Sequence, residues 1–303
     1  MADIRIVAGP TGAGKSALAL RLAQRHGCRI ISADSRQIYR GFDIGTAKPS
    51  GAERAAIEHL GLDCAAPVER WNAARWADAA RRWIEEDRAA GRRSLVVGGT
   101  GLWLQALVRP LAAEPPLDPT RRQELQLALA ALDTTELRRW VERLDPPRAG
   151  LGRTQLLRAA EVALLSGTRL SDWHAKGAGA EPLPARWLVV DPGPALEGRL
   201  DARRQQMLAE GWLDEVRGLL AQVPADAPAW NACGYREIRD VVEGRLALDA
   251  AVEAVRISTR QYAKRQRTWF RNQLEGVGPV TRLDPLASDA DAVAERWFTE
   301  DDA

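Results

Sequence analysis

The sequence predicts an α/β fold in which a parallel β-sheet is flanked by helices and carries a helical insertion. Short apolar runs and helical segments are expected to alternate at 3–8, 14–26, 29–33, 71–90 and 94–97. This alternation is typical of a parallel sheet, because helices form the crossovers between parallel strands. A later apolar run, RWLVVD, predicts a further strand that ends at Asp191.

The central part of the chain predicts the insertion. After Pro110, a Pro-rich connector (110–119) leads into charged helical stretches at 120–144 and 154–166, and a Gly-, Pro- and Ala-rich stretch follows at 176–185. Helical segments are then expected at 195–222, 234–244 and 248–274. We therefore predict a core domain of residues 1–110 and 186–303, with residues 111–185 as a helical insertion domain.

Composition restricts the class of protein. The chain has 303 residues, of which 46% are hydrophobic and 28% charged, as in ordinary globular proteins. We see no run long enough to span a membrane and no secretory signal, and we expect a cytoplasmic protein without a membrane partner. The three cysteines and three histidines are scattered, which favours neither a disulfide framework nor a zinc site. The net charge of +2 gives no argument for nucleic-acid binding.

Residues 9–16, GPTGAGKS, match the P-loop pattern G-x-x-x-x-G-K-[ST] between a predicted strand and helix, a P-loop NTPase-like context. Glycines let the backbone approach an anion, and N–H groups at the helix start point towards it. Lys15 adds a positive charge, and the Ser16 hydroxyl is a ligand for Mg²⁺, the cofactor that we expect. The predicted anion-binding residues are Gly9, Pro10, Thr11, Gly12, Ala13, Gly14, Lys15 and Ser16. The motif indicates phosphates, with ATP or GTP as the usual occupants.

Two aspartates follow predicted strands. Asp34, in RIISADSRQIY, stands at the carboxyl end of the second strand, where ligands bind in open α/β sheets. Its carboxylate is a candidate base or Mg²⁺ ligand, and equally a candidate helix N-cap. Asp191 is a second candidate for Mg²⁺, or an ordinary strand end.

A basic segment, RISTRQYAKRQRTWFR (256–271), contains six basic residues and no acidic one. Arg256, Arg260, Lys264, Arg267 and Arg271 recur at helical spacing and predict one basic face. Together with neighbouring aromatic residues, this face suits contact with RNA. A solvated surface helix with Trp269 in the core is the alternative.

Several separated stretches resemble the bacterial tRNA dimethylallyltransferase (tRNA isopentenyltransferase) family. They are GPTGAGKS, DSRQIYRGFDIGTAKP, GGTGLWLQAL, LRAAEVALLSGTRLS, LDARRQQMLAEGWLDEV, CGYREI and YAKRQRTWFR, and they cover nearly the whole chain in the family's order. The resemblance implies a P-loop α/β core with a helical insertion domain. It also implies transfer of a dimethylallyl group from dimethylallyl diphosphate to N6 of the adenosine immediately 3′ of a tRNA anticodon, with Mg²⁺ assisting the release of diphosphate.

The same resemblance implies roles for individual residues. Asp34 would accept the proton of the adenine amine, and Thr100 would reach the reacting centre and the diphosphate. Arg199 and Arg203 would clamp the diphosphate, without a ranking between them. The implied tRNA contacts are Asp34, Ser35, Arg36, Gln37, Thr100, Arg122, Thr154, Gln155, Leu156, Leu157, Arg158, Asn231, Ala232, Cys233, Gly234, Tyr235, Arg236, Lys264, Arg265, Gln266, Arg267, Thr268, Trp269, Phe270 and Arg271.

Three departures from the family pattern bear on these expectations. Trp103 stands where the family usually has Tyr, and Gln155 stands in place of an Arg, which puts one phosphate or base contact in doubt. Cys233 replaces an aliphatic residue and is interpreted as a small core residue. A P-loop kinase that acts on a small metabolite or nucleoside is the alternative function, and a non-enzymatic RNA-binding protein is a third. We expect a monomer.

Overall fold

The computed structural model describes residues 4–109, 115–176 and 182–300. The chain divides into two compact units, Met1–Val108 with Pro182–Ala303, and Arg109–Glu181. The predicted insertion is 111–185, so both observed boundaries of the insertion unit lie a few residues earlier than predicted. Parts of the predicted connector (110–119), of the Gly-, Pro- and Ala-rich stretch (176–185) and of the acidic chain end lie outside the described residues.

The first half of the larger unit alternates strands with helices. Its elements are β1 (Ile4–Ala8), α1 (Lys15–His26), β2 (Arg29–Ser32), α2 (Gly51–Ala56), β3 (His59–Leu60), α3 (Ala73–Ala89), β4 (Ser94–Gly98) and α4 (Gly101–Val108). The sequence did not reveal α2 or β3. A two-residue strand is too short to show a periodic pattern, so β3 is visible only through its pairing with β2.

The insertion unit is helical, as its sequence indicates. It contains α5 (Pro119–Ala130), α6 (Thr134–Leu144), α7 (Arg153–Ser166) and α8 (Leu170–Lys176). The expected helix at 120–144 is two helices, because Asp133 caps α6: its Oδ1 accepts from the N–H groups of Thr135 at 2.7 Å and Glu136 at 2.8 Å.

The chain then returns to the larger unit. The remaining elements are β5 (Ala185–Val190), α9 (Leu196–Ala209), α10 (Trp212–Leu220), α11 (Tyr235–Val242), α12 (Leu248–Asn272), β6 (Val280–Leu283) and α13 (Ala290–Thr299). The helix expected at 195–222 is broken at Gly211, whose φ of 93° a helix does not allow. The described residues contain no helix long and apolar enough to cross a membrane.

The strands form one parallel sheet in the order β3-β2-β4-β1-β5-β6. Alternate residues of each inner strand enter two cores on opposite faces of the sheet: Ile6 packs in one core and Val7 in the other. Strands buried on both faces read as continuous apolar runs, which is how the sequence shows them. Trp103, the departure from the family's Tyr, is buried and stacks on Trp76 with ring centroids 5.3 Å apart.

Candidate functional site

Three loops meet at the carboxyl edge of the sheet. The P-loop follows β1, Asp34 follows β2, and the turn Gly99–Thr100 follows β4, which lies between β1 and β2. The Ala33 carbonyl accepts from Thr100 N at 3.2 Å and so joins two of these loops. A Cβ on Gly98 would lie 2.2 Å from that carbonyl, so the close approach requires glycine.

The P-loop has the left-handed backbone that its glycines permit. φ is 146° at Gly9, 76° at Gly12 and 95° at Gly14. A Cβ at Gly9 would lie 2.2 Å from the Val190 carbonyl oxygen, which fixes glycine there. Gly14 begins α1, and no side chain of the described residues caps that helix. The first N–H groups of α1 therefore point into the loop as donors for an anion.

Two cations lie beside this loop. Lys15 Nζ donates to the Pro10 carbonyl at 2.8 Å. Burial, and secondly the charge of Arg203, lower the pKa of Lys15 to about 8, while Asp34 acts in the opposite direction. Burial also lowers the pKa of Arg203, against the influence of Asp34. An anion bound here would relieve the repulsion between the two cations.

The structure separates the two arginines that the sequence could not rank. Arg203, on α9, lines the cavity at the P-loop, and its Nη2 donates to the Thr46 carbonyl at 3.5 Å. Arg199, one turn earlier, donates from Nε to the Gly12 carbonyl at 2.9 Å. Among the described residues, the lining of this cavity does not include Arg199. The hydrogen bond of Arg199 stabilises the P-loop backbone instead.

Two adjoining cavities, each of about 650 Å³ including their open mouths, occupy this edge of the sheet. We call one the phosphate-loop cavity; its polar lining includes Lys15, Ser16, Asp34, Gln37, Arg203 and Gln266. We call the other the Trp212 cavity; its apolar lining includes Leu200, Met207, Trp212, Ala232 and Val255. The two share Thr11, Asp34, Thr46 and Arg203. A ligand with one anionic part and one apolar part fits such a site.

Asp34 lies in the shared wall of the two cavities. Its Oδ1 accepts from Arg36 N at 2.8 Å. Turns, and no helix, occupy 35–38, so the alternative role of helix N-cap is wrong. Thr100 Oγ1 accepts from Ser35 N at 3.1 Å and fixes the turn that carries Asp34. Thr100 itself lines neither cavity within the described part of the chain.

The residues present fit a Mg²⁺ ion in its usual role beside phosphates. The described residues contain no group of three or more His, Cys, Asp or Glu that could hold a metal. Mg²⁺ commonly uses only one or two protein ligands and completes its shell with water and phosphate oxygens. The exposed Ser16, at the start of α1 in the phosphate-loop cavity, provides one such ligand. The competing candidate Asp191 is engaged elsewhere, since Arg267 Nε donates to its Oδ2 at 2.9 Å.

Sequence reasoning missed Tyr262 and misread Gln266. Tyr262 lines the Trp212 cavity; burial and then the charge of Asp34 raise its pKa, against a hydrogen bond with Thr100. Gln266 is only 6% exposed and bonds the P-loop, where an RNA contact had been expected. The spacing of the two residues, four apart on α12, is a usable signal that they share one helix face.

The predicted basic face of α12 is largely paired. Arg256 pairs with Glu253, Arg260 with Glu197, and Arg267 with Asp191. Within the described residues, Lys264 and Arg271 form no ion pair, and both are exposed. Exposed Arg265 lies over the Tyr262 ring at 5.8 Å. The unpaired positive charge is therefore concentrated in the second half of the helix.

The predicted tRNA contacts differ in burial. The buried positions, whose side chains offer little or no surface in the free protein, are Leu156, Ala232, Gly234, Tyr235, Gln266 and Phe270. The exposed positions are Thr154, Gln155, Asn231, Arg236, Lys264, Arg265, Thr268 and Arg271. The half-buried positions are Asp34, Ser35, Arg36, Gln37, Thr100, Arg122, Leu157, Arg158, Cys233, Arg267 and Trp269.

Some of the half-buried and exposed residues also have internal partners. Gln37 Nε2 donates to the carbonyls of Thr46 and Ala47, at 3.1 and 3.0 Å. Gln155 Oε1 accepts from Gly152 N at 3.1 Å at the start of α7. Cys233 lines the Trp212 cavity, half-buried, which corrects its interpretation as a core residue.

In the insertion unit, the predicted basic contacts form an internal cluster. Glu161 is buried, and its Oε1 accepts from Arg122 Nε and from Gln126 Nε2, each at 2.6 Å. Arg158 pairs with the other oxygen of the same carboxylate. The hydrogen bonds outweigh burial and lower the pKa of Glu161. The cluster holds α5 against α7 and fixes where Arg122 and Arg158 lie.

Known proteins share this architecture. A full-length tRNA isopentenylpyrophosphate transferase from Bacillus halodurans is similar over 98% of this chain and 97% of its own, with a TM-score of 0.68 and 28% identity. A eukaryotic dimethylallyltransferase, studied in the act of modifying tRNA, is similar over 97% of this chain and 77% of its own, with a TM-score of 0.80 and 25% identity.

Sequence relatives agree with the structures. A tRNA dimethylallyltransferase from Sorangium cellulosum is 41% identical over 277 residues, which are 89% of this chain and 88% of the relative. One from a Caulobacter species is 42% identical over 300 residues, 95% of this chain and 96% of the relative. The family model described as IPP transferase matches residues 37–273. The chain therefore belongs to the IPP transferase family.

Proposed function

We propose that this protein transfers a dimethylallyl group from dimethylallyl diphosphate to N6 of the adenosine immediately 3′ of the anticodon in tRNA and releases diphosphate. One observation carries the proposal: Asp34 lines both the polar phosphate-loop cavity and the largely apolar Trp212 cavity. The donor has an anionic part and an apolar part, and the acceptor adenine has an amine whose proton a carboxylate can accept as the new carbon–nitrogen bond forms. Names of the relatives supply the substrate class.

The leaving group is the first requirement of this chemistry. As the allylic carbon–oxygen bond breaks, negative charge develops on the diphosphate. The N–H groups at the start of α1, Lys15 and Arg203 would stabilise it, because fixed donors act strongly where charge develops. A Mg²⁺ ion at Ser16 would neutralise further charge on the diphosphate oxygens.

The acceptor amine is the second requirement. A carbon–nitrogen bond forms between the allylic carbon and N6, and one N6 proton leaves. Asp34 would accept that proton, since its carboxylate faces both cavities and is held by the N–H of Arg36. Thr100 would keep this carboxylate in place by accepting a hydrogen bond from Ser35 N. Its predicted contact with the reacting centre would be a second role.

The pH dependence of diphosphate binding should report Lys15. Its pKa of about 8 in the free protein means that the ammonium is charged below that pH and neutral above it. A bound anion favours the charged form, so affinity should fall as pH rises through 8, by up to about tenfold per unit. Calorimetric titration with Mg²⁺ and diphosphate between pH 7 and 9.5 measures this.

Lys15→Arg provides the control for that titration, because the guanidinium group stays charged over the whole pH range. The ionisation of diphosphate itself also changes with pH, but it does so equally for both proteins. The difference between the two profiles isolates the lysine. Parallel profiles would contradict the assignment of the titrating group to Lys15.

The salt dependence of tRNA binding should locate the RNA-facing part of α12. Lys264→Ser and Arg271→Ser, combined, should lower the slope of log affinity against log salt by about 1 for each tRNA phosphate that these side chains neutralise in the wild-type complex. Arg256→Ser, whose charge is paired with Glu253, should change the slope less. Filter binding across a salt series provides the measurement, and equal slopes in all three proteins would place this part of α12 outside the interface.

A transfer assay tests the proposed function directly. Purified protein with Mg²⁺ should move labelled dimethylallyl groups onto unmodified tRNA that has adjacent adenosines in its anticodon loop. Turnover of ATP without such transfer would instead favour a P-loop kinase. We also propose that the protein works as a cytoplasmic monomer, and sedimentation of the purified protein checks its oligomeric state.

A further inference from the structure

Helix α12 contacts the catalytic turn after β4 at three consecutive residues. Gln266 Nε2 donates to the Gly99 carbonyl at 2.9 Å, and Tyr262 lies close enough to Thr100 for that hydroxyl to lower the pKa of Tyr262. The Trp269 ring covers Gly101, where an added Cβ would lie only 2.3 Å from the ring. One face of a single helix, with residues four and three apart, thus holds the whole turn.

Gln266 extends this contact to the P-loop. Its Oε1 accepts from Thr11 N at 2.8 Å, while its Nε2 is bonded to Gly99. The amide therefore bridges two loops that line the phosphate-loop cavity, from a position that is 6% exposed. A side-chain amide offers a donor and an acceptor in one neutral group, which neither glutamate nor methionine does.

The opposite side of the same helix carries exposed positive charge. Lys264 and Arg271 lie there, within two turns of Gln266, and are exposed. Arg265 is exposed on the flank of the helix, over the Tyr262 ring. Because α12 is continuous from Leu248 to Asn272, an RNA that fixes its outer side also fixes Gln266. The surface that binds RNA and the side chain that holds the two loops then belong to one rigid helix, α12.

We propose that Gln266 is a positioning residue that couples tRNA binding on the outer side of α12 to diphosphate binding at the P-loop. The coupling rests on the proposed function, because tRNA must be the RNA on α12. In this role Gln266 holds the Thr11 and Gly99 backbones in the arrangement that receives the diphosphate. Such coupling is reciprocal, so bound diphosphate must increase the affinity for tRNA by the same factor.

Inorganic diphosphate with Mg²⁺ is the probe, titrated with and without saturating unmodified tRNA. We expect the wild-type protein to bind diphosphate at least about fivefold tighter when tRNA is bound, within the usual range of coupling. In Gln266→Met, of similar volume but without either hydrogen bond, the ratio should approach one. The turnover of this variant should also fall by at least about tenfold, because a small displacement of the groups that position a substrate lowers the rate strongly.

Gln222→Met is the matched control, because Gln222 lies exposed after α10, off the α12 helix and outside both cavities. It should keep both the ratio and the turnover. Gln266→Leu also lacks both hydrogen bonds and adds no charge to the cavity, so it should likewise give a ratio near one and is the second test if the methionine protein is unstable.

A purely structural role would lower the melting temperature of the Gln266 variants and leave the ratio unchanged, which would overturn the proposal. A wild-type ratio of one would overturn it as well. Absence of dimethylallyl transfer by the wild-type protein contradicts the proposed function instead, and the binding ratio is read without any turnover.

Discussion

Asp34→Asn should lower kcat by about 10²–10⁴-fold, the usual contribution of a positioned general base, and should leave tRNA affinity nearly unchanged. Asparagine has the same shape, and its side-chain oxygen can still accept from Arg36 N, as Asp34 Oδ1 does at 2.8 Å. The turn therefore keeps its geometry while the site loses the group that takes the N6 proton. Single-turnover transfer kinetics and filter binding measure the two quantities separately.

Asp284→Asn is a matched control for this variant. Asp284 follows β6 and forms the same kind of turn, with its Oδ1 accepting from the N–H two residues later, Leu286 N, at 2.9 Å. It is exposed and lies outside both cavities described above. We expect no loss of turnover from it. Equal losses of turnover and tRNA affinity in Asp34→Asn would indicate a binding role for Asp34 in place of a catalytic one.

The parts of this site that the sequence predicts are those next to strand ends. Lys15, Asp34 and Thr100 each follow a strand of a parallel sheet, and the carboxyl ends of such strands meet at one edge. Their proximity therefore follows from local patterns together with the fold class. The order of the strands, with β4 between β2 and β1, could not be predicted from the sequence and is known only from the structure.

The contributions of α12 could not be predicted in the same way. Its periodicity separates the faces of the helix, but periodicity does not state which face turns inward. Gln266 was consequently grouped with the basic residues that surround it in sequence, although its amide is buried against two loops 167 and 255 residues away. The pairing of Arg267 with Asp191 likewise depends on a contact between residues far apart in sequence, here 76 residues.

Long helices were overestimated for a related reason. Hydrophobic spacing continues through 120–144 and through 195–222, so the pattern alone favours one helix in each. Local chemistry decides otherwise: the Asp133 side chain caps a new helix, and Gly211 adopts a φ of 93°. The second break matters for the site, because it separates α9, which carries Arg203, from α10, which brings Trp212 to the cavity wall.

Arg203→Met should lower turnover by about 10²–10³-fold, the cost of removing one fixed donor from a developing anion. Affinity for diphosphate should weaken as well, since Arg203 lines the cavity beside Lys15. Methionine retains much of the buried stem, so the loss is mainly one of charge and donors. Arg199→Met should have a smaller effect on turnover, because the observed contact of Arg199 is with the Gly12 carbonyl.

The pH profile distinguishes loss of charge in Arg203→Met from damage to the fold. Arg203 is the second cause, after burial, of the lowered pKa of Lys15. Removing it should raise that pKa, so the fall in diphosphate affinity should move from near pH 8 to a higher pH. A damaged loop would weaken binding at every pH without moving the midpoint. A midpoint unchanged from the wild type would therefore contradict the electrostatic coupling of Arg203 and Lys15, and would point to damage of the loop as the cause of the weaker binding.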